Sequence, residues 1–519
     1  MSDVQFFYEV DPSDLGGRYL CCGGDTKRRQ KHEPWLVQSH GWLDGTLLAG
    51  TLAEAAARFD PAQPETWPLV TPRSDHLFVG RSGPAQASPL APLRVPLERL
   101  REPSTRTPLL SLVLVRWGGT YRVGENDNGE PEGDGGWGKY GSPPCDWYMS
   151  AVIREGVLAH PRLAGAEAGA ARDFELFSLF LGGTKAAASL AQGAPQLAAC
   201  LKGAKKATFW MLWPAEWEDW DTADYAGYVG RHTMFDAMRA CERAGIRSSF
   251  PHPADQYELI TSKAWMATLS TEAQACLPAA TMVSKESLLK DSRLATQQAL
   301  TNIEEIRAKN PFPVVVGDDK AAPSVVNKDG VKKGVVKAGW TWEARFVLFF
   351  QGEKQLEKKL WEMLVADGCT VTHCIVQEWV DFDFELRLFF LPSRDHNPEK
   401  DFVPVRLEYN GWGHSESGKP GSFSKLTRDK CLLRWHMDKV ALEAAEVRAT
   451  EVAQFLLRWV MAKDPEPVPM LRLDFMLHRV SPGVSRVVFG EFCEMGACCI
   501  SWEEGPPRIW RAALDYALR

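Results

Sequence analysis

Apolar and polar residues alternate through Leu471–Ile500 on both sides of Ser481-Pro482-Gly483, a pattern that predicts two strands joined by a tight turn. On the first strand Leu471, Leu473, Phe475 and Leu477 share one face, and Arg472, Asp474 and Met476 share the other. Counting by twos along the second strand puts Glu491 on the face of Val487 and Phe489, at the end of an apolar row. A carboxylate on each of two neighbouring strands, with an arginine beside one, suits a hard cation and the phosphates it carries. Solvated charges with one structural ion pair account for the stretch as well.

The first two hundred residues carry weaker signals: a helical pattern at Thr51–Phe59, a strand at Leu109–Trp117, and Gly/Pro-rich connectors. From Ala204 onward the pattern sharpens. Ala207–Trp213 reads as a buried strand and Met234–Ala244 as a helix stopped by Gly245. A further helix has Ser262-Lys263 near its start, and Leu277–Val283 reads as a strand. This order predicts a small parallel α/β layer. Helix Ser287–Lys309, strands Pro313–Val316, Val335–Lys337 and Arg345–Phe350, helix Glu353–Ala366 and strand His373–Val380 then predict an antiparallel α+β unit. A second such unit holds strands Phe384–Leu391 and Val403–Tyr409, a long helix over Asp429–Ala462, the hairpin above, and a helix over Pro507–Leu518. Asn410–Lys430, polar and glycine-rich, reads as a loop or lid.

The expected fold class is therefore mixed α+β and α/β, with boundaries at 1–203, 204–285, 286–380 and 381–519. A net charge of −7 gives no ground for general nucleic-acid affinity. No stretch reaches the ~20 apolar residues of a membrane span. The opening MSDVQFFYEVDPSD lacks the basic start and apolar run of a signal peptide, so a cytoplasmic protein is expected. The 12 cysteines include no CxxC pair, which removes zinc-site spacing and favours buried thiols. The glycine-rich Gly133–Gly141 lacks the GK[ST] ending of a phosphate loop, and Lys27–Lys31 reads as a solvated basic run.

Several ordered motifs carry chemistry. Ser262-Lys263 precedes Leu277-Pro278 and Thr281; Gly334-Val335-Val336-Lys337 ends an apolar strand on a lysine; Val376–Val380 leaves a strand; Glu385 and Arg387 share a strand face; and Arg472, Asp474 and Glu491 follow. In this order they resemble the ATP-grasp superfamily over residues 205–519, nearest the D-alanine–D-alanine ligase, glutathione synthetase and ribosomal-protein glutamate-ligase branch. The resemblance implies a pre-grasp α/β domain followed by two α+β subdomains that hold ATP, preceded by an additional N-terminal region. It implies ATP contacts at Lys263, Lys337, the hinge Gln377, Glu378, Trp379 and Val380, and Glu385. It implies magnesium, with manganese as a substitute, on Asp474, Glu491 and Glu494. Arg387, Arg472 and Lys425 would face the reacting phosphate, Lys419 being the alternative to Lys425. Two departures stand out: Cys493 replaces the usual Asn, and Gly339–Glu343 (GWTWE) is bulkier than the usual glycine-rich turn.

The implied activity is ADP-forming carboxylate–amine ligation through an acyl phosphate, on small-molecule substrates such as an amino acid or small peptide. It involves neither nucleic acid nor membrane and is compatible with a homodimer. Phosphotransfer by the same fold, or a degenerate nucleotide-binding scaffold, are the alternatives.

Overall fold

The structure is a computed structural model. It describes residues 2–9, 33–48, 50–72, 76–78, 92–103, 107–117, 152–164, 173–181, 183–216, 228–311, 314–316, 333–340, 346–365, 371–391, 398–414, 420–493, 502 and 504–519. Contacts divide the chain into two units, one of residues 1–214, 219–253 and 502–519, the other of 215–218 and 254–501. Among the described residues no helix is long and apolar enough to cross a membrane.

The first unit is built on a ten-stranded sheet. Its strands are β1 (Ser2–Glu9), β2 (Trp35–Leu47), β3 (Leu69–Pro72), β4 (His76–Phe78), β5 (Leu93–Arg94), β6 (Leu100–Arg101), β7 (Leu110–Trp117), β8 (Phe174–Leu181), β9 (Lys205–Trp210) and β12 (Arg247–Phe250), while β10 (Trp213–Ala215) and β11 (Tyr228–Gly230) pair separately. The order β12-β9-β7-β8-β2-β1-β6 is parallel from β12 to β8, and β2 joins β8 antiparallel. All eight residues of β8, the strand where the pairing changes from parallel to antiparallel, are buried, so both of its faces are covered.

This sheet changes the expected boundary at 203/204. β9 pairs along β7, so residues on both sides of that boundary complete one sheet. The C-terminal helix Gly505–Ala517 also lies in this unit, because its apolar face finds cover there. Trp510 meets Phe250 edge-on at 5.0 Å, and buried His160 places Nε2 3.1 Å from Asp515 Oδ1.

The second unit contains two antiparallel sheets, each with helices on one face. β13 (Ala280–Ser284), β15 (Lys333–Lys337), β16 (Val347–Gln351) and β17 (His373–Glu378) form a sheet of order β13-β17-β15-β16. Val336, Val283, Cys374 and Val376 pack with Leu288, Ile303, Leu356 and Leu360 from its helices. β14 (Val314–Val316), β18 (Phe384–Phe390), β19 (Arg406–His414), β20 (Pro420–Leu426), β21 (Leu471–Ser481) and β22 (Val484–Cys493) form the second, of order β14-β22-β21-β18-β19-β20. Helix Lys439–Lys463 covers the face made by Phe384, Leu386, Leu388, Leu471, Leu473 and Phe475. The opposite face of that sheet carries Glu385, Arg387, Arg472 and Asp474 together with Phe389, Met476 and Val488.

Three expectations about this unit change. The helix expected over Asp429–Ala462 is two helices, Arg428–Arg434 and Lys439–Lys463, because His436 and Met437 take positive φ and Asp438 caps the second helix through Ala441 N. The segment read as a loop over 410–430 is largely the β19–β20 hairpin, with 415–419 outside the described residues. Residues 314–316, expected in the first α+β sheet, pair instead with β22.

Two aspartates fasten the turn end of the β21–β22 hairpin. Asp383 Oδ2 accepts from Trp435 Nε1 at 2.9 Å and Arg479 N at 2.8 Å, and Oδ1 lies 3.3 Å from His478 Nδ1. Asp438 Oδ2 accepts from Arg479 Nε and Gly483 N, both at 2.8 Å. Burial opposes their ionisation, but these hydrogen bonds outweigh it and hold both carboxyls below the ordinary value of 3.8. A depressed carboxylate contributes stability above its unfolded pKa and loses it as pH falls through the folded value. Acid unfolding followed between pH 5 and 2 should therefore be shallower in Asp383→Asn and Asp438→Asn. Each variant should also be about 1–2 kcal/mol less stable than wild type at pH 7.

Candidate functional site

The face of the six-stranded sheet opposite helix Lys439–Lys463 carries a buried group of ionised side chains set by strand register. Glu385, Arg387 and Phe389 alternate with the core residues of β18. Across the ladder Arg387 faces Asp474 on one side and Glu408 on the other, and Phe389 faces Arg472 and Arg406. Asp474 in turn faces Glu491, and Arg472 faces Cys493. One row thus runs Glu491–Asp474–Arg387–Glu408 across four strands, and Asn410 extends this face to Lys425 on β20.

The placement of Glu491 corrects the alternation expected from the sequence. The register shifts between Asp474/Glu491 and Phe475/Phe489, so Gly490 is an extra residue. This bulge turns Glu491 away from the face of Val487 and Phe489 and onto the polar face beside Asp474. A Cβ at Gly490 would lie 3.2 Å from Asp474 O, so glycine suits the close approach of the two strands.

The charges on this face are closely paired. Arg472 binds Asp474 as a fork, Nε to Oδ1 at 2.8 Å and Nη2 to Oδ2 at 2.7 Å. Arg387 Nε donates to Glu385 Oε2 at 2.9 Å and lies 3.6 Å from Asp474 Oδ2. Arg472, Asp474, Arg387 and Glu385 are all buried. Burial pushes the Glu385 carboxyl up, and the Asp474 and Glu491 charges add to this against the pull of Arg387 and Arg472.

Two lysines stand beside this face. Lys337 ends β15, on the side of the strand opposite the buried Val336. Its ammonium is lowered to about 8 by burial and by the neighbouring Lys263 charge, with Glu491 pulling the other way. Lys263, Lys337 and Glu491 therefore share one electrostatic neighbourhood. Lys263 takes φ 55° between helices Ala254–Thr261 and Trp265–Leu269, directly before Ala264, the N-cap of the second, so a helix does begin beside it and another ends just ahead of it. The turn after Lys337 packs against this point: a Cβ on Gly339 would sit 2.8 Å from Ser262 O, and Trp340 N donates to Glu216 Oε2 at 3.3 Å. Gly339→Ala should accordingly cost about 1–3 kcal/mol, read as a lower denaturation midpoint.

The hinge segment divides in two. Gln377 and Glu378 lie inside β17, between β13 and β15. Glu378 N donates to Ala279 O at 3.0 Å, and its carboxylate accepts from Ala279 N at 2.7 Å and pairs with Arg307. Trp379 N donates to Lys333 O at 3.1 Å. These amides, that of Trp379 included, serve the sheet, although the strand itself ends at Glu378. Lys425 is exposed and faces Asn410. Glu494, Lys419 and residues 341–343 lie outside the described residues.

Arg406, Glu408 and Asn410 were not singled out from the sequence. Their signal was the alternation Arg-x-Glu-x-Asn along one strand, which looks the same for a solvated edge until β18 and β20 flank it.

The donors suit a hard cation in kind. Asp474 and Glu491 offer carboxylate oxygens from facing positions, and magnesium ordinarily completes its shell with phosphate and water. Among the described residues no three His, Cys, Asp or Glu side chains converge on one point, and Arg472 occupies both oxygens of Asp474. Binding an ion there requires that fork to open. Cys493, opposite Arg472, adds only a soft sulfur.

No family model and no curated protein matches the sequence. Solved structures do show similarity. D-cycloserine synthetase aligns with a TM-score of 0.42 and 14% identity over 79% of this chain and 100% of that one. The L-amino acid ligase of Bacillus licheniformis gives 0.40 and 11% over 80% and 75%, and the D-alanine–D-alanine ligase of Bacillus anthracis 0.39 and 9% over 79% and 96%. The chain is similar to these structures, but with identities of 9–14% and TM-scores below 0.5 the likeness carries no argument about its fold, substrate or chemistry.

Proposed function

We propose that this protein is an ATP-dependent carboxylate–amine ligase that activates a small carboxylic acid as an acyl phosphate and passes it to an amine. The observation that carries the reading is the row Glu491–Asp474–Arg387 with Arg472 at its side and Lys263 and Lys337 beside it. It supplies two facing carboxylates for a divalent ion and four cations for a triphosphate and a developing acyl phosphate.

Magnesium bound at Asp474 and Glu491 would neutralise charge on the transferring phosphoryl group. Lys263 and Lys337 hold the phosphates, and Arg387 and Arg472 stabilise the charge that builds as a carboxylate oxygen attacks phosphorus. Arg472 is held by Asp474 until an ion competes for that carboxylate, so loading the metal would free the guanidinium for the substrate. Trp379 and Val380 border the nucleotide base and Glu385 its ribose, while Lys425 reaches in from the hairpin. Exclusion of water preserves the acyl phosphate for the amine.

The test is magnesium-dependent ADP release by the whole chain, screened against pooled amino acids and small carboxylates. Release that needs both a carboxylate and an amine supports the reading. Glu491→Gln should lower it at least about 100-fold, because one ligand of the ion is lost while the exposed position tolerates the change. Release with a carboxylate alone and no amide product would point to phosphotransfer.

A further inference from the structure

Arg387 stands at the centre of the charged row and is held at its Nε from two strands at once. Asn410 on β19 is 1% exposed, too deep to meet a substrate itself. It faces Glu385 on β18 and Lys425 on β20. The amide orientation that satisfies both of its ends turns the oxygen to Arg387 Nε at 3.0 Å and the nitrogen to Tyr409 O at 3.2 Å. The Nε–H of Arg387 is thereby shared between the Asn410 oxygen, from the neighbouring strand, and Glu385 Oε2 at 2.9 Å, from its own. A guanidinium is planar, so fixing Nε–H on two sides sets the direction of both terminal nitrogens. Asn410 has firm backing: on the core side of β19 the Tyr409 hydroxyl is bonded to Glu446, which also accepts from Arg428 Nε at 2.8 Å.

The two acceptors differ in charge. Arg387 already has carboxylates beside it in Glu385, in Asp474 at 3.6 Å and in Glu408 across the ladder. Asn410 adds an acceptor without adding an anion. An aspartate of the same shape would hold the guanidinium as an ion pair and set one more negative charge on a face meant for phosphate. We propose that Asn410 is a positioning residue for the reaction, its neutral amide aiming the Arg387 guanidinium at the transferring phosphoryl group without competing for its charge. This assignment rests on the ligase reading and extends the working part of the sheet to β19, on the side of Arg387 away from Asp474 and Glu491.

A side chain that only filled space would act the same whatever stood at position 387, whereas a positioning residue loses its effect once Arg387 is gone. The experiment is therefore a double-mutant cycle in the full chain. ADP formation is followed in steady state and single turnovers with magnesium, ATP and the carboxylate and amine found in the pooled screen. Asn410→Ala should lower kcat about 10- to 100-fold, the cost of misplacing a catalytic group by about an ångström, with KM for ATP within about threefold of wild type. In an Arg387→Met background the same substitution should cost less than about twofold. Asn410→Asp, which keeps the shape and the acceptor, should still lose about 10-fold in kcat. Equal losses from Asn410→Ala in both backgrounds would overturn the assignment, as would a wild-type kcat in both Asn410 variants. If the wild-type chain forms no ADP with any carboxylate and amine, the ligase reading fails and takes the assignment with it, a result distinct from the other two.

Discussion

Asp474→Ala is expected to abolish ATP turnover and to cost about 3–5 kcal/mol of stability. The two losses have one cause. Asp474 is 1% exposed and takes both arms of the buried Arg472 guanidinium, with Arg387 close behind. Removing the carboxylate strands buried positive charge and deletes a candidate metal ligand at once. Chemical denaturation and ADP release measure the two effects separately. The double replacement Arg472→Met with Asp474→Leu removes both charges. It should recover most of the stability, because an apolar pair of similar volume can replace a buried ion pair, while turnover stays absent. A double variant that regained activity would show that this pair is structural only.

Lys337→Met should lower turnover about 100- to 1000-fold, the range expected when one preorganised charge is removed from phosphoryl transfer. Its pH dependence gives a sharper signature. In the free protein burial and Lys263 bring Lys337 to about 8 from an ordinary 10.5. Above about pH 8 the side chain loses the charge that holds phosphate, so kcat/KM for ATP should fall along a limb centred there. Lys337→Met should lack that limb. The stability effect has the opposite direction: between about pH 8 and 10.5 the unfolded chain binds the proton and the folded one does not, so this group makes stability rise with pH. A flat wild-type profile through pH 9 would remove Lys337 from the phosphate site.

Much of the second unit was legible because its strands alternate cleanly. β21, β18 and β17 stand where the apolar spacing put them, within a residue or two. Features that depend on one residue's conformation were not legible. A single extra glycine at 490 reverses the face of Glu491, and a period-two count carries straight through it. The Trp435–Asp438 break also lies within an unbroken helical pattern, since neither His436 nor Met437 announces a left-handed backbone. The β19–β20 hairpin was hidden by its glycines and serines, which read as loop although Gly411 faces Ser424 in the ladder. Long-range pairing was the other blind spot. β7, β8 and β9 are separated by long connectors, and no local signal shows that they share one sheet.

For the site, strand parity alone placed Glu385 beside Arg387 and Arg472 beside Asp474. Whether those pairs met across the sheet depended on register. That register also brought in Glu408 and Arg406, which alternation on one strand could not distinguish from a solvated edge.

The central claim is that a carboxylate oxygen attacks ATP. Oxygen-18 placed in the donor carboxylate tests it most directly, read by mass spectrometry of the inorganic phosphate released when amide forms. Acyl-phosphate chemistry transfers one labelled oxygen from the carboxylate to phosphate, and that single-label phosphate is the predicted result. Phosphate released without label, in step with ADP, would contradict the account and leave hydrolysis or another phosphoryl acceptor in its place.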